Sequence, residues 1–525
     1  MTARLGGAGL LAGEQPDLRL MIPAAAAWSA AGVALGWALR TALLCALVLV
    51  VFAVGALLGV RRGWALVVAA AAICAAGSTA AAAWRVAAID RGPLPALAEA
   101  HAKVTLELVV AADPRARQVA VGTHGATRSI VFFSAKAVAV TTLDGVTTAI
   151  RSPVFVLAAG RGWVGLQPSQ HVRAAGRLGV PQPGEFETAT FDASGSPSDI
   201  GPPSTLERVA GKARAGLREA AAPLPDASGG LFPGLVDGDV SRLPLDVVAD
   251  FKTTGLTHLV AVSGANVAIV LGAVLVGARW LRLPLRGQAW VGALAIVGFV
   301  VVARPQPSVL RAAAMGLVAV LALATGRRHR ALPALAAAVL CLIYIDPMLS
   351  RSIGFALSVL ATGALVTLAP VLRETMARRL PRWLAEALSV PAAASLVCAP
   401  LIASISGTVS LAAIPANVLA EPAVAPATIL GVLTAGVAPV SMPAAHLLAR
   451  LGEVPCAWVV FIARTFARLP GAAVHWPSGL AGAFAFGLVA VLFMLAARLR
   501  AAARQRTQLV RPQLVRPPRD DVGGS

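Results

Sequence analysis

Long apolar segments dominate this 525-residue chain and restrict what it can fold into. Many of them approach the ~20 residues that a helix needs to cross a bilayer. Only 13% of the residues are charged and the mean hydropathy is +0.76, whereas a soluble domain carries roughly 25% charged residues. Lipid must therefore be the solvent for most of the surface. We expect an all-α polytopic membrane bundle that contacts the lipid bilayer.

About twelve apolar segments are predicted, although several are short or interrupted by proline. They are 21–39, 41–60, 64–84, 256–280, 287–303, 308–325, 331–345, 352–372, 384–403, 409–436, 442–468 and 479–499. Clusters of arginine lie between them, and membrane proteins concentrate such clusters on the cytoplasmic side. Alternation of the segments around these clusters predicts a cytoplasmic C-terminus and places residues 100–200 outside the cytoplasm.

Residues 100–200 interrupt the apolar pattern. Alternating, β-branched stretches such as 104–110, 129–133 and 138–142 are separated by Gly, Pro and Asp. This pattern predicts five or six short strands. Strands of that length and spacing are typical of a small barrel or sandwich.

A predicted amphipathic helix follows at residues 204–222, where Ser204 and Glu207 have capping-box spacing. Such a helix can lie in the membrane interface. Its predicted apolar face consists of Leu206, Val209, Ala210, Ala213 and Leu217. The whole chain then divides into an N-terminal tail (1–20), N-terminal transmembrane helices (21–85), the β insertion (100–200), the amphipathic helix (204–222), a second transmembrane domain (230–499) and a disordered basic cytoplasmic tail (500–525).

Polar side chains inside the apolar stretch 255–267 are unusual. His258, Ser263 and Asn266 fall within nine residues, and polar groups at membrane depth usually face a bundle interior or a water-filled cavity. Small residues spaced by four from Gly264 also suit close helix packing. A functional site and a packed helix with internally bonded polar groups are equally compatible with this stretch.

Three further polar residues lie in apolar segments, namely Arg311, Asn417 and Glu421. Asn417 and Glu421 are four residues apart and share a face if helical. Prolines at 415, 422 and 426 predict a discontinuous helix, and broken helices at membrane depth usually line cavities. A structural ion pair between Arg311 and Glu421 is the alternative interpretation.

A catalytic pair of His258 and Ser263 is the third interpretation of these polar groups, and the least favoured. Residues five apart on a continuous helix are about 140° apart around its axis, and no acid nearby would orient the histidine. We expect no catalytic residues. No phosphate-binding loop or metal-ligand motif is present in the sequence, so we expect neither a cofactor nor a metal.

The stretch 255–264, which reads GLTHLVAVSG, resembles the most specific signature of the ComEC competence family. It follows the motif GLVDGD at 234–239, and supporting matches come in the family's order at 308–315, 346–358 and 406–422. The resemblance covers residues 21–499. It implies that the β insertion is an extracytoplasmic OB-like domain.

The resemblance implies a multi-pass channel of the cell membrane that translocates single-stranded DNA during natural transformation. Its implied partners are single-stranded DNA, a DNA receptor and a motor ATPase. A separate nuclease is also implied, because the seven histidines include no HxHxDH cluster of the kind found in the nuclease domain of many members. The motif positions give the channel-core candidates Asp239, His258, Ser263, Gly264, Asn266, Arg311, Asn417 and Glu421.

The sequence leaves the transported substrate and the oligomeric state open. A transporter of another substrate on the same scaffold is the runner-up function, and a homo-oligomer is compatible with the sequence. Many family members have Leu-His where this chain has Ala265-Asn266, so only a polar group is kept there.

The charge pattern supports DNA binding in part. The net charge of +20 suits either cytoplasmic loops or a nucleic-acid partner. Residues 100–180 contain nine Lys or Arg against three acids, but residues 181–200 add four acids. Phe132, Phe133, Phe155 and Trp163 are stacking candidates, although aromatic residues of small β domains more often fill the core. The basic DNA-binding candidates are Arg128, Lys136, Arg151, Arg161, Arg173 and Arg177.

Overall fold

The computed structural model describes residues 19–59, 63–89, 92–121, 126–181, 187–260, 262–304, 307–325, 331–479, 481–482, 484–486 and 488. Its helices are α1 (Met21–Ala34), α2 (Leu39–Gly59), α3 (Gly63–Ile89), α4 (Leu94–Glu99), α5 (Thr205–Ala221), α6 (Asp226–Asp237), α7 (Leu245–Thr253), α8 (Thr257–Val260), α9 (Gly264–Trp280), α10 (Leu285–Ala303), α11 (Pro307–Ala324), α12 (Ala331–Ile345), α13 (Ile353–Met376), α14 (Arg382–Ser406), α15 (Ala413–Val437) and α16 (Met442–Ala467). Its strands are β1 (Lys103–Val110), β2 (Arg115–Val121), β3 (Ala126–Thr142), β4 (Thr147–Ala159), β5 (His171–Gly179), β6 (Ala189–Ala193), β7 (Thr408–Ser410) and β8 (Ala473–His475).

Seven helices in the described ranges are long and apolar enough to cross a membrane, namely α2, α3, α10, α13, α14, α15 and α16. Four predicted segments form shorter apolar helices, α1, α9, α11 and α12. The 17 residues of α9 rise only about 25 Å at 1.5 Å per residue, less than the ~30 Å of hydrocarbon. Most of segment 479–499, the tail 500–525 and nearly all of 1–20 lie outside the described residues. The membrane bundle is confirmed, whereas the count of about twelve is not.

The predicted segment 256–280 is two helices. α8 ends at Val260 and α9 begins at Gly264. Ser263 between them has an extended backbone, with φ −101° and ψ 160°. The signature stretch therefore forms a break at the start of α9, where backbone amides are left without intrahelical partners.

The segment with the three prolines behaves in the opposite way. Pro422 and Pro426 lie inside one continuous helix, α15, so the prediction of a discontinuous segment is wrong. A proline removes one backbone donor, but packing against α16 holds α15 together. The indole of Trp458 on α16 donates to the Leu419 carbonyl of α15 at 2.8 Å.

The β insertion is a closed barrel. Its strands are ordered β1-β5-β6-β4-β3-β2, and β1 also pairs with β3, which closes a ring of five strands and leaves β2 as a hairpin extension of β3. β4 and β6 are parallel, and the other pairs are antiparallel. The predicted strands 129–133 and 138–142 are one long strand, β3. Residues facing inward, such as Leu106, Val156 and Phe191, form the barrel core.

The amphipathic helix is confirmed as α5, with the Ser204 side chain accepting a hydrogen bond from the Glu207 amide at 3.3 Å. Its buried face differs from the predicted one. Leu206 and Val209 are exposed, whereas Arg214 is buried. The reason is an ion pair of 3.0 Å between Arg214 and Glu207, which lets the guanidinium lie against the helical bundle.

Glycines bring α6 into the centre of the helical bundle. A Cβ at Gly452 of α16 would lie 2.2 Å from the Phe232 ring, and one at Gly431 of α15 would lie 2.4 Å from the Val236 side chain. Only glycine permits these approaches, which are typical of close helix packing in membranes. The GLVDGD motif at the end of α6 is thereby held inside the bundle.

The turn between α15 and α16 lies at the same end of the bundle as the barrel. A Cβ at Gly216 of α5 would be 2.6 Å from the Ala438 Cβ. Arg214, two residues away, donates to two carbonyls in the last turn of α10 at 3.2 and 3.4 Å. Arg304, directly after α10, pairs with Asp113 of the barrel. If successive apolar segments crossed the membrane in alternating directions, this turn would lie at the end of the bundle opposite the barrel. The prediction of a cytoplasmic C-terminus therefore no longer follows from alternation.

Candidate functional site

Asn266 joins the two most specific motifs. Its side-chain amide donates to the Leu235 carbonyl at 2.8 Å, and its Oδ1 accepts a hydrogen bond from the Ser263 hydroxyl at 3.1 Å. Asn266 is 1% exposed. The polar groups of Ser263 and Asn266 are therefore bonded inside the protein and lock the start of α9 to the end of α6.

Arg311 lies beside the start of α9. Its Nε donates to the Ser358 hydroxyl at 2.7 Å, and its Nη1 contacts the Met315 sulfur at 3.2 Å. Its Nη2 lies 2.6 Å from the position that a Cβ would take on Gly264. The structure thus brings Gly264 and Arg311 into contact, and a side chain at residue 264 would displace the guanidinium.

The charge of Arg311 has no carboxylate partner among the described residues. The arginine is only 6% exposed. Glu421, the alternative partner suggested by the sequence, is exposed on α15. It forms no ion pair with Arg311, so that interpretation is wrong. Asn417 donates back to the Ala413 carbonyl of its own helix at 2.7 Å. Asn417 and Glu421 therefore do not join the group around Arg311.

His258 also lies apart from this group. Its Nδ1 is 3.1 Å from the Gly255 carbonyl, and the side chain is exposed. The Ser263 hydroxyl donates to Asn266 instead. No hydrogen bond joins His258 to Ser263, so the arrangement needed for a nucleophile and its base is not formed.

Asp239 belongs to a second polar group, at the end of α6. Its Oδ2 pairs with Arg218 of α5 at 3.3 Å, and its Oδ1 accepts from the Ser241 amide at 3.0 Å. The neighbouring Asp237 accepts a hydrogen bond from the Asp239 amide at 2.9 Å, through a turn at Gly238 with φ 77°. Asp239 therefore anchors α5 to the motif.

Sequence reasoning missed Asp237, although it lies in the same motif. Its side chain is buried. Burial raises the pKa of the Asp237 carboxyl to about 6, against the smaller lowering effect of the hydrogen bond from the Asp239 amide. Sequence reasoning also gave no role to the Ser308 side chain. Its hydroxyl donates to the Val262 carbonyl at 3.0 Å and ties α11 to the break before α9.

The basic candidates of the barrel have different surroundings. Arg173 is paired with Glu107 and with Asp199, the latter at 3.6 Å. Arg177 donates to the His101 carbonyl at 3.0 Å. Lys136 and Arg151 are exposed on β3 and β4, and the side chains of Arg128 and Arg161 lie outside the described residues.

Two of the four aromatic candidates are available for stacking. Phe133 and Trp163 are buried in the barrel core, with ring centroids 5.9 Å apart. Phe132 and Phe155 are half-buried on the outer face of β3 and β4, with centroids 6.3 Å apart. Arg115 on β2 lies opposite Phe132 in the strand register and is exposed, which makes it a further basic neighbour of this face.

The family profile described as "Competence protein" matches residues 235–501, slightly more than half of the chain. The chain belongs to this family. All eight channel-core candidates lie within the match, whereas the barrel precedes it. No curated protein and no solved structure matches the chain. In this competence protein of ComEC type, the family match therefore covers the helical domain built around α6, α9 and α11.

The buried carboxyl of Asp237 predicts a pH-dependent stability in this competence protein. Its folded-state pKa of about 6 lies above the usual 3.8, so the carboxyl favours the folded state most below about pH 4 and loses that contribution as the pH rises through about 6. Full ionisation costs roughly 3 kcal/mol at most. We expect Asp237→Asn to raise the thermal midpoint relative to wild type at about pH 7, and to do so less at about pH 4.

Thermal melts of the purified full-length protein in detergent would measure this difference. Asp144→Asn removes one exposed carboxylate from a barrel turn and is the matched control. An equal pH trend for both variants would contradict the role of Asp237.

Proposed function

We propose that this competence protein is a membrane channel that translocates single-stranded DNA across the cytoplasmic membrane during natural transformation. The family match over residues 235–501 carries the proposal. The group around Arg311 supports it, because an ionisable residue inside a membrane bundle marks a substrate or ion pathway more often than a structural site. No enzymatic role in DNA degradation is proposed for this chain, and a separate nuclease would supply it.

The topology of the barrel supports an OB-like fold. Taken in chain order, the five ring strands β1, β3, β4, β5 and β6 pair as first-second-third-fifth-fourth, with the third and fifth parallel. OB folds bind oligonucleotides on the face of their second and third strands, which here are β3 and β4. Phe132, Phe155 and Lys136 occupy the outer side of these strands, so aromatic and basic groups lie together there.

We infer the cellular setting from the same features. The arginine clusters favour an extracytoplasmic barrel, where it would receive DNA from a receptor. Energy would come from a partner motor ATPase or a gradient, because the sequence contains no phosphate-binding loop. A homo-oligomer is compatible with this arrangement.

Uptake of labelled DNA tests the proposed function. In a strain known to be competent, deletion of the gene should abolish transfer of labelled DNA into the cytoplasm while leaving DNA bound at the cell surface. Expression of the wild-type chain should restore transfer. Normal transfer in the deletion strain would overturn the proposal, and a growth or metabolite defect in that strain would favour a transporter of another substrate.

Stacking on the barrel face is tested by truncating its two aromatic residues. Base–aromatic stacking contributes about 1–3 kcal/mol per base, so Phe132→Ala and Phe155→Ala should each weaken single-stranded DNA binding by at least about fivefold. Fluorescence anisotropy with a labelled oligonucleotide and the full-length protein measures this. Leu143→Ala, at a side chain 82% exposed beside the β3–β4 turn, is the matched control. Equal affinities for all three variants would remove the barrel face from the DNA path.

The side of the membrane that holds the barrel is tested by labelling. With the five native cysteines replaced, Leu143→Cys should react with a membrane-impermeant maleimide added to spheroplasts. Arg279→Cys, at the opposite end of α9 from Gly264, should react only after the membrane is opened. The reverse pattern would invert the proposed orientation.

A further inference from the structure

Two positive groups face each other inside the helical bundle with nothing negative between them. One is the guanidinium of Arg311, which is 6% exposed. The other is the start of α9, where aligned backbone amides concentrate about half a positive charge. They come within contact distance, because Nη2 of Arg311 lies 2.6 Å from the Cβ position of Gly264.

The start of α9 has no side-chain cap. Ser263 occupies the capping position, but no amide of α9 donates to its side chain. Its hydroxyl donates to Asn266 Oδ1 instead. The Asn266 amide donates to the Ser263 carbonyl at 3.2 Å. Amides at the start of a helix have no partner in a preceding turn, so those of Gly264 and Ala265 are left for an acceptor from outside the helix.

The contacts of Arg311 leave its charge uncompensated. Ser358 and Met315 are neutral partners, and Nη2 has no hydrogen-bond partner in the part of the chain that the structure describes. Asp237 and Asp239, the acids of the adjoining motif, lie in the group with Arg218 and Arg214. A buried charge without a counter-charge is costly, and an amide-rich helix end of the same sign increases that cost. The arrangement suits a bound anion.

We propose that one phosphate of the single-stranded DNA backbone is bound jointly by the Arg311 guanidinium and the first amides of α9. This inference rests on the proposed function. A guanidinium and a helix N-terminus are both favourable partners for phosphate oxygens. Their contact with a phosphate is independent of the base, so it suits a path that must accept any sequence.

The position of the site agrees with this role. α9 and α11 both begin at this end of the bundle, tied by the hydrogen bond from Ser308 to the Val262 carbonyl. The barrel is joined to the same end through the pair of Arg304 and Asp113. A strand that leaves the barrel would therefore meet Arg311 at the entrance of the helical domain.

Salt-dependent DNA binding tests the inference. The full-length protein in nanodiscs of zwitterionic lipid is titrated with a labelled oligo-dT at several salt concentrations. Each neutralised phosphate of a single strand contributes a slope of about −0.7 to log K against log salt. Arg311→Gln should make the slope less negative by about 0.7 and weaken DNA binding roughly tenfold. Arg311→Lys should keep the slope, since it keeps the charge, but bind more weakly because it lacks the planar fork.

Arg286→Gln is the matched control, because it removes an exposed arginine from the start of α10. It should leave the slope unchanged. An oligonucleotide with neutral methylphosphonate linkages supplies the reciprocal change. The methylphosphonate oligonucleotide should bind the wild-type protein more weakly than oligo-dT does. The difference in affinity between the two oligonucleotides should be smaller for Arg311→Gln. An unchanged slope for Arg311→Gln would overturn the inference.

Three other outcomes would also overturn it. A purely structural arginine predicts that Arg311→Gln lowers the thermal midpoint without changing the salt slope. A lipid site predicts that phosphatidylglycerol in the nanodisc raises the midpoint of wild type but not of Arg311→Gln, with DNA binding equal in the two. Raised midpoints with inorganic phosphate alone, without any effect on DNA binding, would point to a free anion instead.

Uptake assays separate failure of this inference from failure of the proposed function. Normal uptake by cells that carry Arg311→Gln, with no uptake in the deletion strain, would overturn the phosphate site and leave the channel function standing. Normal uptake in the deletion strain would overturn the channel function itself. Loss of uptake with Arg311→Gln, together with the reduced slope, is the result expected if both are right.

Discussion

The hydrogen bond from the Asn266 side chain to the Leu235 carbonyl joins the two parts of the molecule on which the rest depends. It crosses from α9 to α6 inside the bundle, where an unbonded amide would be costly. Because the same side chain accepts from Ser263, the break before α9 has one defined geometry. That geometry places Gly264 against Arg311, so the chemistry of the site follows from a bond between two motifs.

Glycine makes the surrounding packing possible. Gly431 and Gly452 admit α6 between α15 and α16, and Gly264 admits the guanidinium of Arg311. In a bilayer, close approach of helices relies on such small residues, because lipid is as apolar as the side chains and gives little hydrophobic drive for association. Asn266, Ser263 and Ser308 have their side chains hydrogen-bonded inside the bundle. The buried charge of Arg311, which has no carboxylate partner among the described residues, gives the site its chemical character.

The barrel and the bundle are linked through α5, because the amide of its capping residue Ser204 donates to the Ser169 hydroxyl, between β4 and β5, at 2.8 Å. Arg214 of α5 is paired with Glu207 and bonded to the end of α10. Arg304, at that same end of α10, pairs with Asp113 of the barrel. A basic aromatic face on the barrel and a buried cation in the bundle thus lie on parts that are tied together. This linkage suits the proposal that they are successive contacts of one DNA strand.

Much of the local structure could be predicted from local pattern. Apolar runs predicted the helices, alternation predicted the strands, and the spacing of Ser204 and Glu207 predicted the cap of α5. Prediction failed where tertiary contacts outweighed local preference. α15 continues through its prolines because α16 packs against it, and Arg214 is buried because Glu207 accompanies it. The alternative pair of Arg311 and Glu421 could not be tested by spacing, since the 109 residues between them leave their separation undetermined.

The sequence by itself determined that this protein belongs in a membrane, that a β domain interrupts its helices and that its motifs are those of competence proteins, because composition, periodicity and motif order are properties of the chain alone. Only the tertiary structure decided which motif residues meet. It brought Gly264 to Arg311, left His258 and Glu421 apart, and put the turn between α15 and α16 against α5. These outcomes depend on contacts between segments far apart in the chain, which no local pattern encodes.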